Sequence, residues 1–203
     1  TRRFGASLEK IKQVVEAREG EIMFGLNLVV HKGKTIFVGD TSVHEYPTSE
    51  QMADIALSAA RVVRLFGFDP KVAFVSHSTF GQPLTSRTKQ IKKAVEILRE
   101  KKVDFEFDGD MQPDVALDKE YQSLYPFSKI VGNANILIMP GQHSAAISYK
   151  MMKSLGDSKV IGPLLIGLGL PIEIAPLRSS TSEIINLASI AAYSADVIDY
   201  KKN

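Results

Sequence analysis

The chain has 203 residues, enough for one domain with a real core or two small lobes sharing a cleft. Its composition is that of an ordinary globular protein, 44% hydrophobic and 24% charged, and its net charge of +2 excludes the strong basic face expected of a nucleic-acid binder. There is no cysteine, which excludes disulfides, thiol catalysis and cysteine metal sites and fits a reducing cytoplasm.

Ser7 to Glu19 has helical spacing, with Leu8, Ile11, Val14 and Val15 on one stripe. The next stretch, MFGLNLVVHKGKTIFVGD, reads as two strands around a turn at His31-Lys32-Gly33, where Gly supplies the positive φ. This hairpin is an edge of the main sheet or part of a second lobe; the pattern leaves both open. Thr48 or Ser49 caps a long helix that runs to Phe66 and stops at Gly67 and Pro70. From there strands and helices alternate. Strands are expected at Val72 to Ser76, Asp104 to Gly109, Ala134 to Pro140 and Val160 to Gly167. Helices are expected at Ser86 to Lys101, Val115 to Leu124, Ser144 to Leu155 and Ser182 to Ile198. Such alternation implies a three-layer α/β/α architecture around a mostly parallel sheet. No apolar run is long and unbroken enough to span a membrane, because the stretch from Val160 to Leu170 is interrupted by Gly and Pro.

Ligands of open α/β sheets sit beyond the carboxyl ends of the strands. That rule selects Ser76 to Gly81, Asp108 to Pro113, Pro140 to Ser144 and Gly162 to Gly167. SHSTFGQP (Ser76 to Pro83) can present hydroxyls and backbone N–H groups to a phosphate or a thioester carbonyl, or is a plain polar turn. It is not a P-loop, lacking the spaced Gly-Lys-Ser/Thr, and GLGLP at Gly167 to Pro171 lacks the dinucleotide spacing. A Ser76/Ser78–His77–Asp triad is disfavoured, since neighbours on an extended chain point to opposite sides. Asp108, Asp110 and Asp114 can ligate a divalent cation, but capping and loop bonding by Asp are commoner. His31, His44, His77 and His143 have no zinc spacing. The basic stretch from Lys89 to Lys102 alternates with apolar residues and reads as a solvated helix face.

Five ordered blocks then carry a resemblance: VAFVSHSTFGQP, DFEFDGDMQPDVAL, ANILIMPGQHSAAISYKMM, IGPLLIGLGLPIEIAP and SEIINLASIAAYSA. Together they resemble the phosphate acetyl/butyryltransferase family. IFVGDTSV and ADIALSAARVVRLFGFDPKVAFVSHS are similar in particular to the phosphotransacetylase-like C-terminal domain of large bacterial NADP-dependent malic enzymes, where an aromatic replaces the family's loop Lys, as Phe80 does here. The resemblance implies an isocitrate/isopropylmalate dehydrogenase-like fold, a homodimer or higher homo-oligomer, and a cleft for acetyl-CoA or CoA. It further implies that residues 1–203 are the C-terminal portion of a longer domain, with an edge hairpin and helices over 1–70 and an α/β core over 71–203. The first residue, Thr1 rather than Met, agrees with that expectation. NADP and a divalent metal would then belong to a catalytic domain elsewhere in the parent chain.

By motif position the resemblance places Ser78, Thr79 and Gly81 at the acyl or pantetheine end, and His143 and Ser144 at a helix N-terminus that receives a pyrophosphate. Gly162 and Pro163 form the cleft floor and Arg178 meets a phosphate. The family's Ser-Arg pair falls on Pro176 and Leu177, which offer neither a donor nor a charge, while Glu183 stands where a catalytic carboxylate belongs. Losing one such electrostatic contact costs about a hundred- to a thousand-fold in rate. The implied role is an acyl-CoA-binding regulatory and oligomerisation domain without acyl transfer. The alternatives are an active phosphate acyltransferase, or a fragment of one, and a purely architectural dimerisation domain.

Overall fold

A computed structural model describes residues 3–81 and 83–200; Thr1 and Gln82 lie outside the described residues. Its centre is a six-stranded sheet of β1 (Phe24–His31), β2 (Lys34–Gly39), β3 (Lys71–Val75), β4 (Glu106–Met111), β5 (Ile136–Ile138) and β6 (Lys159–Ile166). The spatial order is β4-β3-β5-β2-β1-β6. The β4–β3, β3–β5 and β5–β2 pairings are parallel, whereas β1 is antiparallel to both β2 and β6, so β1 alone runs against the rest. The expected mostly parallel α/β sheet is therefore present. The hairpin is not at its edge. β1 and β2 occupy the interior, flanked by β6 and β5, and Phe24 to Val29 are buried on both faces because layers cover each side of the sheet. The turn between them places Lys32 at φ 48° and Gly33 at φ 76°, the left-handed pair of a two-residue hairpin loop.

Seven helices complete the described chain: α1 (Phe4–Val14), α2 (Ser49–Leu65), α3 (Ser86–Glu100), α4 (Pro113–Leu117), α5 (Lys119–Gln122), α6 (Gln142–Leu155) and α7 (Thr181–Tyr200). Side chains alternate along the strands. Leu26, Leu28, Phe37, Val72 and Phe74 meet α2 and α3 on one face, and Val29, Val38, Ala73 and Val75 meet α4 and α6 on the other. α7 packs on β6, and Leu187 joins the α2/α3 layer.

Three of the boundaries that differ from the sequence reading have identifiable physical causes. α1 stops at Val14 because the next residues turn extended and pair with the end of β6, through the Ala17–Leu168 bridge and Arg18 N–H to Gly167 O at 2.8 Å. β4 begins two residues late and runs through DGDM, set by its register of Lys71 against Glu106. The expected helix over Val115 to Leu124 divides at Asp118, whose carboxylate accepts from Glu120 N–H at 2.8 Å and starts α5.

Candidate functional site

The carboxyl ends of β2, β3, β4 and β5 share one end of the sheet, and their loops hold most of the expected residues. Their side chains are committed to internal bonds. Ser78 is fully buried and its hydroxyl donates to the buried Asp110 carboxylate. Thr79 Oγ1 accepts from Gln112 N–H at 3.2 Å, and Gly81 has φ +83°. Asp108, within the strand expected at Asp104 to Gly109, is a buried residue of β4 that accepts from Arg99, Gly109 N–H and Lys129 N–H. Asp114 accepts from Val115 N–H. With the carboxylates spent separately, no group of metal-ligating side chains occurs among the described residues.

His143 and Ser144 lie in the first turn of α6. His143 Nε2 is 2.9 Å from a Glu45 carboxylate oxygen, its ring stacks on Tyr46, and the Ser144 hydroxyl donates to Gly141 O. Gln142 N–H donates to His44 O, so the start of this helix is partnered by the loop after β2. Gly141 is required there: a Cβ would lie 2.4 Å from Glu45 O.

That loop is what sequence reasoning missed. Asp40 is buried and accepts from the N–H groups of Gly25, Ser42, Val43 and His44, and from His44 Nδ1 at 2.7 Å. The signal was present in IFVGDTSVH, an Asp directly after a strand. Strand spacing alone does not say which backbone N–H groups will gather at that strand's end.

A separate cleft of about 180 Å³ opens beside the edge strand β6, walled by α6 and the start of α7. It gathers Gly162, Pro163, Pro176, Arg178 and Glu183, and adds Tyr149, Lys150 and Lys153. Leu177 is exposed and is not among its lining residues. Gly162 and Pro163 lie within β6, inside the strand expected at Val160 to Gly167 and not in a loop beyond its end, where the carboxyl-end rule would put a site. A bulge shifts the register opposite Leu26 and Leu28, and an edge strand tolerates proline. Gly162 has φ +118°, and a Cβ would lie 2.9 Å from Leu26 O. The Ser78 loop follows β3, four strands from β6, so it stands roughly 19 Å away across the sheet at the usual strand spacing.

The cleft is electropositive: Lys150, Lys153 and Arg178 face the single carboxylate of Glu183. Glu183 is held down to about 2, chiefly by Lys153 Nζ at 2.8 Å and then by Ser180 N–H at 2.7 Å. Glu183 N–H in turn donates to the Ser180 hydroxyl, closing a reciprocal cap on α7. A carboxylate so stabilised is a weak base near neutrality, where general bases work best with pKa values near the operating pH. Burial raises the Tyr149 hydroxyl above its ordinary value, leaving it a neutral aromatic wall.

The Phosphate acetyl/butaryl transferase family model matches residues 2–192, and the chain belongs to this family. An NADP-dependent malic enzyme from Rhizobium meliloti is 44% identical over 96% of the chain, which spans 26% of that relative's length. A phosphate acetyltransferase from Clostridium acetobutylicum is 35% identical over 79% of the chain and 49% of its own length. The solved structure of a phosphotransacetylase from Streptococcus pyogenes superposes with a TM-score of 0.89 at 29% identity, covering 96% of this chain and 60% of that one. The fold is thus of the phosphotransacetylase type, and the chain spans about a quarter of the malic-enzyme relatives' length. No helix among the described residues is long and apolar enough to cross a membrane.

Proposed function

We propose that the chain is an acetyl-CoA-binding regulatory and oligomerisation domain of a cytoplasmic bacterial NADP-dependent malic enzyme, and that it does not itself transfer acyl groups. In this reading NADP, a divalent metal and the oxidative decarboxylation of malate belong to a catalytic domain of the parent chain. One observation carries the proposal. The cleft beside β6 sets three cations against one carboxylate, as an anionic ligand needs, while the resemblance puts Pro176 and Leu177 at the family's Ser-Arg pair.

Arg178, Lys150 and Lys153 are suited to CoA phosphates, and Gly162 with Pro163 lets a thin pantetheine chain pass close to the backbone. At about 180 Å³ the cleft takes only part of so large a ligand, and the remainder lies across its rim. Ser78, Thr79, Gly81, His143 and Ser144 enter the reading only if the ligand extends along the sheet end, because they lie away from the cleft and the four with polar side chains bond internally. Regulation then requires acetyl-CoA to bind one assembly state more tightly than another, by about 1–3 kcal/mol in typical allosteric systems.

Calorimetry with acetyl-CoA, with free CoA and acetyl phosphate as controls, tests the reading. Micromolar binding without turnover, weakened in Arg178→Ala, supports it. Absence of binding favours a purely architectural domain. The second reading, an active phosphate acetyl/butyryltransferase or part of one, draws on the identity to phosphate acetyltransferases. Phosphate-dependent formation of acetyl phosphate from acetyl-CoA would establish it.

A further inference from the structure

A second cleft, of about 130 Å³, lies between α2, α7 and the segment that follows β6. Its apolar walls include Val62, Leu65, Leu168 and Leu170, and its polar side chains are Arg18, Glu21, Ser58, Arg61, Glu173 and Ser194. Two guanidiniums share one carboxylate oxygen there. Arg61 Nη1 lies 3.0 Å and Arg18 Nη1 3.4 Å from Glu21 Oε1. Arg61 Nη2 also donates to the Ser58 hydroxyl at 2.9 Å, and Arg18 Nη2 to Leu168 O at 3.4 Å, so both forks are held in place by neutral partners. Among the described residues the remaining charged group of the lining is Glu173, whose carboxyl accepts from Leu165 N–H at 3.0 Å. Burial pushes Glu173 up to about 8, so it is mainly protonated at pH 7. Two cations against one anion leave a single positive charge beside an apolar slot.

We propose that this cleft binds a small monocarboxylate, with its carboxylate on Arg61 and Arg18 and its short apolar tail against Val62, Leu65 and Leu168. Bidentate pairing to a carboxylate is the interaction the guanidinium fork is shaped for, and Glu21 already occupies part of it. Size sets the class. A cavity of about 150 Å³ holds a six-membered hydrocarbon ring, so about four to six carbons fit here. The site is independent of the cleft beside β6 and does not rest on the acetyl-CoA reading.

Calorimetric titration with hexanoate at pH 7, with hexanol as the uncharged control, tests it. The expected result is saturable one-site binding of hexanoate, with hexanol about tenfold weaker or undetectable. Arg61→Gln should weaken hexanoate by about tenfold, and Glu21→Gln, which frees both guanidiniums from their internal competitor, should tighten it several-fold. The gain in Glu21→Gln is an effect that a merely structural ion pair would not give. Unsaturable titration, equal affinity for hexanoate and hexanol, or no change in either variant would each overturn the proposal. Acetyl-CoA affinity should be the same in both variants and the parent sequence, which separates failure here from failure at the other cleft.

Discussion

Glu173 and Glu183 are the same side chain in opposite surroundings. Glu183 meets Lys153 and the start of α7 and is held ionised, so its contribution to stability is present above the ordinary carboxylate pKa and is lost as pH falls through about 2. Glu173 is withdrawn from water and raised from 4.5 to about 8. Between those values the folded chain keeps a proton that the unfolded chain releases, so raising the pH costs stability, by at most about 1.4 kcal/mol per unit. Urea midpoints measured from pH 5 to 9 should fall toward pH 8 and then level, and Glu173→Gln should remove that slope. Asn27 presents a different case. It is fully buried in β1, and its side-chain nitrogen and oxygen have no hydrogen-bond partner among the described residues. A buried amide left unpaired costs about 1–3 kcal/mol, so Asn27→Leu should raise the thermal midpoint by several degrees in scanning calorimetry. Neither property was legible in the sequence. Glu173 within PIEIAP and Asn27 within GLNLVV look unexceptional until the chain that covers them is in place.

The elements whose ends carry their own chemistry were the most legible. Of the two cap candidates, Thr48 and Ser49, the structure uses Thr48: its hydroxyl accepts from Gln51 N–H at 3.2 Å while the Gln51 side chain accepts from Thr48 N–H at 2.9 Å. Gly67, at φ +82°, ends α2 as expected. Thr48→Ala should therefore cost about 1 kcal/mol in equilibrium unfolding, and Thr48→Ser very little. Elements fixed by distant partners were misplaced. β4 was read early because DFEFDG alternates well by itself, and only pairing with β3 moves it toward Met111. α1 was read long because nothing before residue 20 announces that residues 16–18 will bond to residues 167–169. Likewise the candidate site was half legible: the blocks at Gly162, Pro163 and Arg178 converge on one cleft, whereas Lys150 and Lys153 reach it only because α6 crosses back over β6.

Across the whole molecule, alternating strands and helices were enough to give the layered α/β architecture, and ordered blocks gave the family, but sheet order was hidden because pairing between remote strands leaves no mark in local spacing. The interior position of the hairpin has a kinetic consequence. Its strands meet their outer neighbours only across long stretches of chain: β2 pairs with β5 at Phe37 against Ile136, and β1 with β6 at Leu26 against Leu164. Closing such loops is entropically costly before any contact rewards it, so these two seams should be the slow steps of assembly. The hairpin and the β4-β3-β5 unit would form first and then dock along β2. Stopped-flow refolding can test that order. A destabilising Phe37→Leu change at the docking seam should slow refolding if docking limits the rate, whereas an effect confined to unfolding would mean that the seam closes after the barrier. Until it closes, β2 and β5 each expose an unpaired strand edge, so the parallel seam at the centre of the finished sheet is also where a half-assembled chain is most open to aggregation.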